Sequence, residues 1–251
     1  MPGQRRAIIG VIGGDGQMAP SVALGRVIAQ REWMLLTGGQ VLPRAVVELK
    51  GEVKDGSMLG AAEASPSKAR LIGILPAKQR AEAVRWDYAA GARRLFLHTG
   101  QPHYIRNVIN SRTPDVVVAF GGSRGTLAEI AFAKACGRPL LFFDGSLERL
   151  RQRFQDNFGR RCAASEDRRM YFDQPLDAYP GAAGAAGDAC GLIAMLEEVL
   201  SSASEVDDLA AAVSAVLGGR DWRDGETGFP GLPGDSASKP HFEAIIQAIS
   251  Q

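Results

Sequence analysis

A glycine-rich segment, GGSRGT at residues 121–126, follows an apolar run and leads into an apparent helix that contains Glu129. Glycines let a backbone approach a ligand closely, and the Thr126 hydroxyl can hydrogen-bond an anion oxygen, so the segment is suited to holding a phosphate. No lysine follows the last glycine, which distinguishes it from P-loops and argues against nucleoside-triphosphate hydrolysis. The phosphate-binding candidates are Gly121, Gly122, Ser123, Gly125 and Thr126.

Glu129 has two interpretations. The spacing Thr126-x-x-Glu129 fits a capping box, in which the glutamate only satisfies a backbone N–H at the start of a helix. The same carboxylate is also placed to act on a ligand held by the glycines. The pattern alone leaves both interpretations open.

Two earlier glycine turns follow strand-like runs. GGDGQMA at residues 13–19 contains G-x-G-x-x-A, the shape of a dinucleotide fingerprint. A nicotinamide-binding unit also needs an acidic residue at the end of the second strand to hold the ribose, and this strand ends in Thr37 and two glycines. We therefore disfavour a dinucleotide-dependent oxidoreductase. The turns are either simple strand-to-helix connections or further ligand loops, with Gly13, Gly14, Gly38 and Gly39 as candidates.

HYIRNVINSR, at residues 103–112, carries an apolar stripe if it is helical, and Arg106 then stands on another face. The pattern does not decide whether that arginine is solvated or functional.

Short apolar runs between helical patterns position these residues. Their nearly continuous apolarity predicts strands buried on both faces of a parallel sheet. The fold class is α/β, a Rossmann-like sheet flanked by helices. The predicted strands are residues 7–12, 33–38, 70–75, 93–98, 115–120 and 139–143, and the predicted helices include 20–30 and 127–135. Residues 44–54 are interpreted as a helix or an excursion.

The composition and the pattern of predicted elements change after residue 143. An Arg-rich segment and glycine-rich loops alternate with helical patterns at residues 192–200, 206–217 and 241–249. We expect residues 1–147 to form the nucleotide-binding domain and residues 148–251 to form a helical and loop-rich extension packed on it.

Composition narrows the range of possible functions. The 251 residues carry 29 basic and 28 acidic side chains, a net charge of +1, so nothing favours nucleic acid or an anionic membrane. The three cysteines are far apart and without nearby histidines, which predicts neither disulfides nor zinc and fits a reducing cytoplasm. No run reaches the length of a membrane span. A small-molecule ligand is therefore expected, without a metal or cofactor.

Taken together, the motifs resemble the LOG-like (SLOG) superfamily over about residues 7–143. The features that carry the resemblance are IIGVIGG, the TGG after the second strand, SMLGAAEA, IGILP, the IRN at residues 105–107 and GGxxGTxxE. That superfamily includes cytokinin nucleoside-monophosphate phosphoribohydrolases, proteins long mislabelled as lysine decarboxylases, and molybdenum-cofactor carrier proteins.

The resemblance implies a homodimer or larger assembly that binds a nucleotide or nucleotide-like ligand at the strand ends. It also implies that Arg106 and Glu129 form the catalytic pair of a nucleoside 5′-monophosphate phosphoribohydrolase, with Asn107 among the binding residues. Arg106 is followed here by Asn107 where the cytokinin enzymes have lysine, which is closer to the carrier branch. A non-catalytic carrier of a nucleotide-like or molybdopterin-type ligand is therefore the alternative. Residues 40–56 form an insertion relative to the family.

Overall fold

The computed structural model describes residues 6–14, 16–39, 51–76, 91–100, 103–122, 124–143, 201–203 and 205–218. The strands are β1 (Ile8–Gly13), β2 (Met34–Thr37), β3 (Arg70–Leu75), β4 (Arg93–His98), β5 (Val116–Phe120), β6 (Leu140–Phe143) and β7 (Ser201–Ala203). The helices are α1 (Met18–Gln30), α2 (Val53–Ala64), α3 (His103–Arg112), α4 (Arg124–Ala135) and α5 (Val206–Gly218). All six predicted strands are present.

The described strands form one seven-stranded sheet in the order β4-β3-β2-β1-β5-β6-β7. Every pairing is parallel. The chain runs outward from β1 to β4 on one side, then returns to the centre and runs outward again from β5. This confirms the Rossmann-like α/β fold and places its topological switch point between β1 and β5, where such sheets bind ligands.

Both faces of the central strands are covered by apolar groups. Side chains alternate along each strand, so Leu71 joins one cluster while Ile72 and Ile74 join another. The first cluster packs under α1, α2 and α5, and the second is covered in part by Ile109 of α3. The core therefore lies in two layers, with α3 and its neighbour α4 on the face opposite α1 and α2.

Helices α1 and α2 approach each other closely enough to fix where α2 begins. A Cβ on Gly25 would overlap the Ser57 carbonyl, and one on Gly60 would overlap that of Val22. The first residues of α2 are also tied to the loop after β1, since Gly16 N–H donates to Gly51 O at 3.2 Å and Val53 N–H donates to Gly14 O at 3.1 Å. Two independent contacts thus hold the start of α2 beside the switch point.

One expectation about burial was wrong. The sequence predicted that RRLFLH would be buried on both faces, but β4 lies at the edge of the sheet, with Leu95 52% and Leu97 44% exposed. An edge strand pairs on one side only, so it lacks the second neighbour that helps to bury a central strand.

After residue 143 the predicted helix at 206–217 is confirmed as α5, whose Leu209, Val213 and Leu217 join the core. Strand β7 pairs with β6 and was not predicted. The patterns at residues 44–50, 148–200 and 219–251 lie outside the described residues, and the proposed division at residue 147 stays a prediction.

Candidate functional site

The glycine turns after β1 and β5 lie side by side. In the sheet register Gly13 is opposite Phe120, so the residues that follow each strand, Gly14 and Gly121, leave the sheet at the same point. Gly121 and Gly122 have φ of 62° and 136°, conformations that side-chain-bearing residues rarely adopt. The structure therefore brings together two of the three predicted glycine loops at the switch point.

Thr126 lies in the first turn of α4 rather than before it, because the helix begins at Arg124. Its hydroxyl lies against the Gly122 backbone, where a Cβ would overlap Oγ1, and the residue is buried. A capping box needs the threonine at the N-cap position, so this geometry does not support a capping role for Glu129. Gly125 is half-buried beside Thr126, and Ser123 lies outside the described residues.

Arg106 is buried, 8% exposed, and points to the end of β2. Its Nη1 donates to the carbonyl oxygen of Gly38 at 3.1 Å. Burial lowers the pKa of the guanidinium, and the carboxylates of Glu129 and Glu52 oppose that shift. The third glycine loop, at residues 38–39, is thereby joined to the arginine of the predicted pair.

Glu129 is also 8% exposed, and its Oε1 accepts a hydrogen bond from Asn110 Nδ2 at 2.8 Å. Burial raises the pKa of this carboxyl group, while Arg106, the Asn110 amide and Lys54 pull the pKa down. Arg106 and Glu129 lie 23 residues apart in sequence, and they interact electrostatically in the folded chain. A buried, ionisable carboxyl group with charged neighbours is typical of functional sites.

Two further candidates, Gly39 and Asn107, are also buried. Gly39 has φ of 64° and donates its N–H to Thr37 Oγ1 at 3.1 Å. Asn107 is 1% exposed, and its Nδ2 has no hydrogen-bond partner among the described residues. Its carbonyl oxygen accepts from Ser111 Oγ at 2.7 Å.

Sequence reasoning missed three polar residues of the site. Asn110 lies one helical turn after Arg106, so its spacing could have placed it on the same face of α3. Lys54 and Glu52 form an ion pair at the start of α2. No sequence signal pointed to that pair, because it lies within the insertion at residues 40–56 and reaches the site only through the packing of α2.

Some classes of site are absent from the described part of the chain. Within it, no helix is long and apolar enough to cross a membrane. No group of three or more His, Cys, Asp or Glu side chains within those same ranges could hold a metal ion.

The fold and the glycine-lined switch point define a Rossmann-like α/β protein with candidate ligand loops at the carboxyl ends of its strands. The sequence profile of the SLOG cluster4 family matches residues 6–171, and the chain belongs to that family. No protein with a curated description matches the sequence significantly.

Two solved structures share the fold over nearly their whole length. The molybdenum cofactor carrier protein of Chlamydomonas reinhardtii is 24% identical, with a TM-score of 0.50, and the match covers 85% of this chain and 99% of that one. The molybdenum cofactor binding protein of the phototrophic bacterium Rippkaea orientalis is 22% identical, with a TM-score of 0.51, over 86% and 99% of the two chains.

Proposed function

We propose that this protein binds a nucleotide-like ligand at the switch point and hydrolyses the N-glycosidic bond of a nucleoside 5′-monophosphate. The observation that carries the proposal is the Glu129 carboxyl group, which is buried, hydrogen-bonded to Asn110 and electrostatically coupled to Arg106. A glutamate that only capped α4 would have no need of either partner.

The phosphate would lie on the loops after β1 and β5. The positive φ values of Gly121 and Gly122 let the backbone approach a ligand closely, and the positive end of the α4 dipole lies directly beyond them. Thr126 would add its hydroxyl. Such a cradle would hold a single phosphate group, as a nucleoside monophosphate requires.

The reaction would follow the logic of other glycoside cleavages. The bond between the sugar C1′ and the base nitrogen breaks, positive charge builds on the ribose, and Glu129 as the carboxylate stabilises that charge and orients the water. The water oxygen bonds to C1′, and a proton goes to the departing base, giving free base and ribose 5-phosphate. Arg106 would hold the substrate or stabilise the departing base.

A carrier function is the second candidate. Two structures described as molybdenum cofactor binding or carrier proteins match this chain over 99% of their length, and Arg106 is followed by Asn107. A carrier would bind a nucleotide-like or molybdopterin-type ligand through the same loops and release neither base nor sugar phosphate.

The deciding experiment is overnight incubation with a panel of purine and pyrimidine nucleoside 5′-monophosphates, read by chromatography for free base. Glu129→Gln is the paired variant, since glutamine keeps the shape of the side chain and the acceptor for Asn110. The enzyme should release base from at least one nucleotide, and the variant should lose about 10²–10⁴-fold in rate while still binding it.

The pH dependence adds a second criterion. Because burial raises the pKa of Glu129, turnover that needs the carboxylate should fall on the acid side at a higher pH than an ordinary glutamate would give. Absence of base from every nucleotide, together with a ligand retained through purification and identified by mass spectrometry, would replace the enzyme proposal with the carrier.

A further inference from the structure

Asn110 connects the two helices that supply the predicted catalytic pair. It lies on α3, one turn beyond Arg106, and is fully buried. Its Nδ2 donates to Glu129 Oε1 on α4 at 2.8 Å. The same nitrogen lies near Gly38, since a Cβ built there would be 3.5 Å from it. Asn110 is therefore packed between Glu129 and the loop that receives Arg106.

Charged groups face Glu129 from two elements. Arg106 approaches from α3 and Lys54 from α2, and both favour the carboxylate, while Glu52 faces Arg106. These residues act as charges whose effect spreads over distance. A hydrogen bond from Asn110 differs from them because it is directional and fixes one oxygen of the carboxylate in space.

We infer that Asn110 is a positioning residue, whose side-chain amide orients the Glu129 carboxylate and favours its ionised form. This inference rests on the proposed function, in which the carboxylate is the working form of Glu129. Without the amide, the buried carboxylate would lose a hydrogen bond that only the protein can supply, because the site is closed to bulk water around Asn110.

The orientation of the Asn110 amide supports its role as a donor to Glu129. Asn110 Oδ1 is buried and has no hydrogen-bond partner among the described residues. An amide carries a donor at one end and an acceptor at the other, and the donor end is the one turned toward Glu129. In this orientation Asn110 donates to the carboxylate and offers no acceptor to the O–H of a neutral Glu129, so it favours the ionised form.

The test reads Glu129 directly, so it does not depend on finding a substrate. The full-length chain is labelled with ¹³C at the glutamate carboxyl carbons, and the Glu129 signal is assigned by its absence in Glu129→Gln. The pKa is then measured by NMR titration in the wild type and in Asn110→Leu, which keeps the branched shape of the side chain and removes the amide. Asn110→Ala is a second variant in case leucine prevents folding.

Ser111→Ala is the matched control, because Ser111 is buried on the same helix and bonds only to that helix's backbone among the described contacts. Hydrogen bonds to charged groups are worth about 1.5–3 kcal/mol, so loss of the amide should raise the Glu129 pKa by about 1–2 units. The control should leave that pKa unchanged.

A folded Asn110 variant that titrates like the wild type would overturn the inference, as would an equal shift in Ser111→Ala. The titration also separates this inference from the proposed function. If no nucleotide is hydrolysed but the shift occurs, Asn110 positions Glu129 in a binding site. If hydrolysis is found without the shift, Asn110 has only a packing role.

Discussion

Replacing Gly39 with alanine should destabilise the fold more than the same change at another glycine of equal conformation. Gly39 has φ of 64°, and its added Cβ would lie 2.6 Å from the Cα of Gly73 and 2.7 Å from the next two backbone atoms of β3. Strand β3 is paired on both sides, so its backbone cannot move aside. The TGG loop must therefore either shift or strain the sheet.

The magnitude has two parts. Alanine in the left-handed conformation costs about 1–2 kcal/mol, and forcing an extra carbon into a packed site costs about 1–3 kcal/mol. We expect Gly39→Ala to lose about 2–5 kcal/mol in the free energy of unfolding. Gly137→Ala is the matched control, because Gly137 has φ of 62° and its Cβ would meet no atom within 4 Å. It should lose only the conformational part.

Urea unfolding measures both variants against the wild type, with equal m-values as the condition for comparing them. The informative quantity is the difference between the two losses, expected at about 1–3 kcal/mol. Equal losses would refute the reasoning, because they would mean that the contact between Gly39 and Gly73 imposes no steric limit.

Three further predictions concern charge. Burial raises the pKa of Glu129, so the folded chain holds that proton more tightly than the unfolded chain, and this stabilisation is lost as pH rises through the raised pKa. Glu129→Gln should therefore be more stable than the wild type near pH 7 and lose that advantage below about pH 4 in urea unfolding, whereas a constant difference would contradict the linkage. Lys54→Met should raise the Glu129 pKa further and move the acid limb of ligand binding or turnover upward, while Lys68→Met, whose amine pairs with Glu32 at 3.3 Å, should leave that limb in place. Asp115→Ala removes the carboxylate that accepts from Ile8 N–H at 2.8 Å and should lower the free energy of unfolding by about 1.5–3 kcal/mol; a loss below about 0.5 kcal/mol would show that water replaces it.

The sheet was predictable because its signal is local. Runs such as VVVAF are apolar at every position, and a strand buried on both faces requires that composition. The edge position of β4 was not predictable, because the sequence RRLFLH contains no information about the order of strands in the sheet. Strand β7 is three residues long and polar, and its extended form comes from pairing with β6 rather than from its own propensity.

The arrangement of the candidate site was predictable only in part, for a related reason. Glycine loops and the pair Arg106 and Glu129 came from motifs that are contiguous in sequence or from family resemblance. The contact between Asn110 and Glu129 depends on how α3 packs on α4, and the approach of Lys54 depends on the tight packing of α1 on α2. Contacts of this kind are set by tertiary packing, so local sequence patterns do not predict them.

Strand β7 and helix α5 have a consequence for how the chain is made. Once translation has passed residue 129, every residue proposed for the site has been made. Strand β6 gains its outer neighbour only when residues 201–203 are made, and Leu209 and Val213 join the core later still. A nascent chain therefore holds its complete ligand loops while one side of its sheet is unpaired and part of its apolar face is bare. During translation this surface would be open to chaperones and to mispairing with other chains.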